Sequence, residues 1–422
     1  MNKLPDGWEE KYIEEVFEIR KNYTNARKDL DNNSNISYLH YGDIHKYYQH
    51  KLDCKNISLP KISENKLSKD INKLELVKNG DLIVVDVSED YKGICSSVEV
   101  KNLSYKLVSV LHTLLLRDKG NYFADGYKGY IFYKNNVHKE CCKVATGISV
   151  YGINRENLRK IKIPIPPLDE QKRIASALSK IDAYLENTIK LIEEKERFKR
   201  GIAKKLLTCK EGENIPEARF KGFEDEWMEV AISKIGTIIT GNTPSTKNES
   251  FWNGNNVWVT PTDIKQKYIS NSERKLTDDG LKKSRKLPAN TLLITCIASI
   301  GKNAILKCEG ACNQQINAII PNKNYNVDFL YYLFENEKSY LKFKAPQSVI
   351  KIMSKSEFSK LVFKFPLLEE QEKIGGYLSL LDAEIDNLKK KKELIKEMKR
   401  GAMQKLLSGE VRLSKNAFNE NI

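Results

Sequence analysis

Histidine is scarce in this chain, five in 422 residues, and no stretch approaches the ~20 consecutive apolar residues that a membrane-spanning helix needs. The longest apolar runs, 107–116 and 292–300, are short and interrupted by polar residues, which argues against an integral membrane protein. Residues 1–8 lead into charge rather than an apolar segment, so the expected location is cytoplasmic, without a secretory leader. Enzyme motifs are missing too. Gly301-Lys302 has Cys296 where a phosphate loop needs its first glycine, and Asn303 follows the lysine. No GxGxxG follows a strand, and no Asn/Asp-Pro-Pro-Tyr/Phe supports methyl transfer to an exocyclic amine. Acidic pairs with a nearby lysine occur at Asp6, Glu9, Lys11 and at Asp169, Glu170, Lys172, but a chain that is 30% charged produces such matches without function. Catalysis by this chain is not expected.

The eight cysteines, at 54, 95, 141, 142, 209, 296, 308 and 312, are scattered in the manner of reduced intracellular thiols. Cys308 and Cys312 could form half a zinc site, but no second half lies at a suitable spacing, so no metal is expected. His40, His45 and His50 recur every five residues, which shares no face of a helix or strand; they read as loop or surface residues.

What the chain has in excess is positive charge and internal repetition. Lysine plus arginine number 71 against 56 aspartate plus glutamate, a formal charge of +15, while 40% hydrophobic residues suffice for real cores in two to four folding units. With a fixed offset of 200, 18 of the 42 positions from 166 to 207 are identical to 366–407 without a gap, which argues for a duplicated module. Each copy reads as one long helix. Apolar residues fall at Ile174, Leu178, Ile181, Leu185, Ile189, Ile192, Phe198, Ile202 and Leu206, and at Ile374, Leu378, Leu381, Ile385, Leu388, Ile395, Met398, Ala402 and Leu406. Steps of three and four trace a coiled-coil seam, and the two stripes can satisfy each other at ~1.5–3 kcal/mol per buried residue. Prolines 166, 167 and 366, with acids in the first turn that suit the helix dipole, mark both N-termini. Gly201 and Gly401, inside the helices, suggest a close helix crossing or a partner contact.

The repeat extends outward, with Trp8 answering Trp227 and Ala145 answering Ala345, so the order is globe, helix, globe, helix. The globes have diverged, and the first is 19 residues longer between its anchors. Both read as mixed α/β, with strands expected at 81–87, 129–133, 256–260, 291–297 and 315–321 and helices at 329–342 and 107–115. The expected fold is therefore α+β: two mixed α/β domains joined by two long antiparallel coiled-coil helices in a pseudo-two-fold internal repeat. The expected boundaries are 1–165, 166–210, 211–365 and 366–410, with 411–422 a tail.

Basic residues interleave with Tyr, Asn and Gln in both globes. In the first the candidates for DNA contact are Arg20, Lys21, Asn22, Tyr23, Arg27, Lys46, Tyr47 and Gln49. In the second they are Asn242, Thr243, Ser245, Lys247, Lys265, Lys267, Lys283, Arg285, Gln314 and Gln315. Lys and Arg neutralise phosphates, while Asn, Gln and Arg read base edges. A solvated lysine surface is the plain alternative for any one stretch; the charge and the two-headed layout together favour DNA.

Pro-Pro-Leu-Asp-Glu-Gln-Lys-Arg-Ile at 166–174 and Pro-Leu-Leu-Glu-Glu-Gln-Glu-Lys-Ile at 366–374 resemble the conserved regions of the specificity subunit of Type I restriction-modification enzymes, as do the helix ends at 199–207 and 399–407. Gly241-Asn242-Thr243-Pro244-Ser245, Trp252-Asn253-Gly254, Trp258 with Asp263-Ile264, and Asn313-Gln314-Gln315-Ile316-Asn317 resemble landmarks of target-recognition domains. The first globe has Gly42-Asp43-Ile44 but lacks the Gly-x-Thr-Pro-Ser stretch. The resemblance implies two recognition domains, each reading half of an asymmetric, split double-stranded DNA site. It implies helices that space them and dock two methyltransferase subunits, with restriction/translocase subunits added for cleavage. It places S-adenosylmethionine, ATP and Mg in those partners and no cofactor in this chain. A stand-alone DNA- or RNA-binding scaffold is the alternative; a free-standing methyltransferase or nuclease comes third.

Overall fold

In the computed structural model the described residues are 4–47, 50–67, 74–345 and 352–414. Contacts divide the chain into two compact units, one made of the residues up to 188 with those from 392 onward, the other of 189–391. The two long helices, Leu168–Leu207 and Leu368–Ser408, therefore each contribute to both units.

The first unit holds a five-stranded sheet in the order Phe17–Arg20, Thr113–Asp118, Leu82–Val85, Ser97–Lys101, His50–Asp53. A three-stranded sheet has Ile36–Leu39 between Lys61–Ile62 and Lys106–Ser109, and Glu9–Tyr12 pairs antiparallel with Lys162–Ile165. In the second unit the five-stranded order is Gly236–Thr240, Ile316–Pro321, Thr291–Thr295, Asn303–Leu306, Tyr268–Ile269. Its three-stranded sheet has Trp252–Val259 between Lys275–Leu276 and Gly310–Cys312, and Met228–Ala231 pairs with Val362–Phe365. Strand for strand these three sheets agree; the first unit adds one short antiparallel pair, Val87–Ser88 with Tyr151–Gly152. The globes diverged in sequence while keeping one fold.

Three expected elements differ from the structure, the least of them 329–342, where helices Val327–Asn336 and Lys338–Lys344 divide at Glu337. Residues 129–133 form part of a 3-10 helix, Lys128–Tyr133, rather than a strand. The carboxylate of Glu99, buried on the adjacent strand, accepts the N–H groups of Gly126 (2.7 Å) and Gly129 (3.2 Å), so these donors are taken from any ladder. Residues 107–115 are not helical but two strands, Lys106–Ser109 and Thr113–Asp118, joined at 110–112. Leu107 and Val108 enter different cores, as do Leu114 and Leu115. Both faces are apolar, so the period-2 signal of a half-buried strand is erased.

The repeated helix residues join helix to globe. Ile174 and Leu178 are buried in the first unit's core beside Leu406 and Leu407, with Ile181 against it. Ile374, Leu378 and Leu381 occupy the second core beside Leu206 and Leu207. Ile385 is buried and Leu185 half-buried. Within each unit, then, the start of one long helix packs beside the end of the other, an antiparallel pairing. Phe198 and Met398 are 52% and 51% exposed, a correction to the expected seam. At ~100° per residue Phe198 lies about 120° round the helix from buried Ile192, and Met398 about 60° from buried Ile395, so both leave the buried face.

The polar identities of the repeat make matching contacts. Gln171 Nε2 donates to the Pro166 carbonyl (2.8 Å) while its Oε1 accepts from Ala124 N (2.9 Å); Gln371 does the same with Pro366 (2.9 Å) and Asn326 N (3.0 Å). Glu170 accepts from Trp8 Nε1 (3.2 Å) and is held by both ends of Arg412 (3.0 and 2.6 Å). Glu370 accepts from Trp227 Nε1 (3.3 Å) and is held by Arg219 (2.9 and 2.7 Å). These acids do more than complement a dipole: each is a buried clamp closed by the segment that follows the other helix. Asp182 pairs with Lys399 (2.5 Å) and Tyr130 Oη (3.0 Å), and Asp382 with Lys199 and Tyr332 Oη (2.5 Å). The eight cysteines are free.

Candidate nucleic-acid interface

The second unit gathers most of its candidate residues at one end of its two sheets. The chain leaves strand Gly236–Thr240 at Gly241, where a Cβ would lie 2.2 Å from the carbonyl oxygens of Cys312 and Asn313; only glycine fits. Asn242 N then donates to Cys312 O (2.9 Å), tying the loop to the strand beneath the 313–315 turn. Asn242 also holds the neighbouring segment: its Nδ2 donates to Lys283 O (3.0 Å) and its Oδ1 accepts from Arg285 N (2.7 Å). Arg285 Nη1 donates to Thr240 O (2.6 Å), and Thr243 Oγ1 donates to Gln314 Oε1 (2.5 Å). Gln315 accepts from Asn313 Nδ2 (3.0 Å).

Two tryptophans brace this loop from inside. Trp258 Nε1 donates to Asn242 O and Trp252 Nε1 to Ser245 O, each at 3.1 Å, and the rings meet edge to face at 5.0 Å. Arg274 lies 3.8 Å over the Trp252 ring. Thr243, Ser245, Lys247, Lys283, Arg285 and Gln314 remain exposed. The result is a rigid, water-facing set of amide, hydroxyl and cationic groups, the donor and acceptor chemistry that reads base edges and phosphates. Lys265 is exposed but outside this hydrogen-bonded set. Lys267 is turned inward: its Nζ pairs with Asp328 (2.6 Å), bonds Ser379 Oγ (2.7 Å) and lies 4.3 Å over Tyr332, and burial lowers its pKa. It serves the packing of the second long helix and leaves the contact set.

The first unit is more scattered. Arg20 pairs with Glu18 (2.7 Å), Lys21 lies over the Tyr23 ring (5.3 Å), and Arg27 pairs with Asp43 (2.8 Å) while staying 59% exposed. Asn22 Nδ2 donates to Thr113 O (2.6 Å) and its Oδ1 accepts from Arg155. Tyr23 is buried, with its hydroxyl accepting Glu75 N (2.7 Å) and burial raising its pKa; it too leaves the contact set. Lys46 is exposed near the end of helix Tyr41–Tyr47, whose last residue is Tyr47; Gln49 lies outside the described residues.

His40 and His50 are buried rather than superficial, a correction to the sequence reading. The His50 ring lies 4.8 Å from Tyr130 and 4.0 Å from Tyr133, and burial pulls its pKa down to about 3. The sequence reading also missed Arg155 and Arg274, which lie far along the chain from the groups they approach and carry no local signal. Among the described residues no cluster of three or more His, Cys, Asp or Glu could hold a metal ion, and no helix is long and apolar enough to cross a membrane.

The family described as the Type I restriction modification DNA specificity domain matches this chain over residues 5–194 and 224–397. The putative type I restriction enzyme MjaX specificity subunit of Methanocaldococcus jannaschii is 26% identical over 434 residues, covering 98% of this chain and 96% of its own. The EcoR124I/EcoR124II specificity subunit of Escherichia coli is 31% identical over 245 residues, 54% of this chain and 57% of its own. A solved chain from work on complex assembly and conformational transition of the type I R-M system shares the fold, with a TM-score of 0.62 at 16% identity over 97% of this chain and 100% of that one. The S subunit from M. genitalium gives 0.54 at 15% identity, over 96% and 97%.

Proposed function

Because the chain belongs to the Type I restriction modification DNA specificity family, we propose that it is the non-catalytic subunit that selects the DNA sequence, reading an asymmetric site in two unlike halves. The observation that carries this reading is one strand order repeated in both units with different residues at the strand ends. A shared scaffold supplies the pose, and the turns supply the choice of bases. On this reading residues 1–165 and 211–365 are the recognition domains, 166–210 and 366–410 the spacer helices, and 411–422 a tail.

The second half-site is read by Asn242, Thr243, Ser245, Lys283, Arg285, Gln314 and Gln315, with Lys247 and Lys265 on flanking phosphates. Arg20, Lys21, Asn22, Arg27 and Lys46 serve the first. The partners are double-stranded DNA, two methyltransferase subunits and restriction/translocase subunits, all cytoplasmic. S-adenosylmethionine, ATP and Mg act in those partners, so methyl transfer and cleavage happen where this chain places them.

Mapping N6-methyladenine genome-wide in cells with and without the gene tests the reading. The expected result is loss of one bipartite motif with two different halves and a fixed gap. A palindromic motif, or no motif lost, would overturn it.

A further inference from the structure

The first unit lacks the sequence landmarks of the second, yet its topology supplies the missing alignment. Strand pairing sets Leu39 opposite Ser109 and Val259 opposite Cys312. In each unit a three-residue turn follows: 110–112 before Thr113, and 313–315 before Ile316. Both turns are tied the same way, Val110 N to Leu39 O (3.3 Å) and Asn313 N to Val259 O (2.9 Å). The loop after the first long strand is tied alike as well, Tyr23 N to Ser109 O (3.0 Å) and Asn242 N to Cys312 O (2.9 Å). Asp43 accepts from His40 N (3.4 Å) as Asp263 accepts from Thr260 N (2.7 Å). By this register Leu111 stands where Gln314 stands, and His112 where Gln315 stands.

The side chains there suit the same task with different chemistry. Leu111 and His112 are partly exposed. His112 Nδ1 lies 3.6 Å from Asp86 Oδ1, and its ring stands edge-on to Tyr41 at 5.3 Å. With Nδ1 turned to that carboxylate, Nε2 is the ring nitrogen left for an outside partner. An arginine also reaches the loop in each unit from a different part of the chain: Arg285 through Thr240 O and Asn242, and Arg155 through Asn22.

We propose that Leu111 and His112 are the base-reading pair of the first half-site, occupying the register positions of Gln314 and Gln315. This rests on the reading that the 313–315 turn contacts bases. Leu111 offers an apolar surface suited to a thymine methyl, and His112 a single ring nitrogen for a base edge in the major groove.

The test is methyladenine mapping in cells carrying the full-length chain with its partners, as wild type, Leu111→Ala, His112→Asn and Gln314→Ala. Asparagine is chosen because His112 has φ of 61°, a conformation that asparagine tolerates. The first two variants are expected to relax bases in one half-site only, with discrimination there falling roughly tenfold. Gln314→Ala is expected to relax the other half only. If Gln314→Ala relaxes one half while Leu111→Ala and His112→Asn leave both intact, this inference fails and the reading beneath it stands. If Gln314→Ala also changes nothing, the turn does not read bases and both fail. Should a variant abolish methylation, competition binding of the purified complex to oligonucleotides changed base by base decides. An undiminished preference in the first half overturns the proposal.

Discussion

Glu170 and Glu370 hold equivalent places, but their environments differ in one respect that has a measurable consequence. Each carboxylate is 3% or less exposed, while Arg412 is 44% exposed and Arg219 only 13%. Replacing Glu370 with glutamine leaves a guanidinium in a dry site, and breaking a buried pair costs about 3 kcal/mol or more. Arg412 can return its charge to water, so Glu170→Gln should cost nearer 1 kcal/mol. Hydrogen exchange read separately over the two units measures this, with the larger loss of protection expected around Glu370. Equal losses would contradict the burial argument. The importance of both glutamates was legible in the repeat itself. Their arginines were not, because Arg219 and Arg412 are out of step with the 200-residue offset.

Helices and strands were legible to different degrees. The long helices announced themselves through a polar background that lets an apolar stripe stand out over 40 and 41 residues. Residues 107–115 offered no such contrast and read as helix, whereas 81–87 and 291–297, equally dry on both faces, were placed by the Gly, Asn and Pro beside them. Gly201 and Gly401 were expected to mark a close crossing or a partner contact; a Cβ on either would meet nothing within 4 Å, which removes the crossing, and neither has a positive φ. Alanine at both positions should therefore stabilise the chain by ~0.5–1 kcal/mol each, through better helix propensity and a less flexible unfolded state. A rise in the thermal unfolding midpoint checks this; a fall would mean that the space over these turns is not free.

For the whole molecule the continuous helices, each shared by both units, carry the proposed spacing between half-sites. Deleting one heptad from each, 187–193 and 387–393, removes about 10 Å at ~1.5 Å per residue, roughly three base pairs. Methylation mapping should then return the same two half-sites around a shorter gap. Altered half-sites with an unchanged gap would show that helix length does not set the spacing. The asymmetry of the expected target belongs to this scale too. It follows from turns as unlike as Leu111-His112 and Gln314-Gln315 on five- and three-stranded sheets of one strand order.

Composition, periodicity, repetition and short motifs were enough to establish the positive charge, the two long helices, the duplication and the family resemblance. Tertiary structure alone decided which acids become clamps, which lysines and tyrosines are buried away from solvent, and which residues of the first unit correspond to the proposed contact turn of the second. Those outcomes depend on strand register and on side chains brought together from distant parts of the chain. A linear pattern records register only when one face of a strand is wet and the other dry, and in these sheets many strands are dry on both.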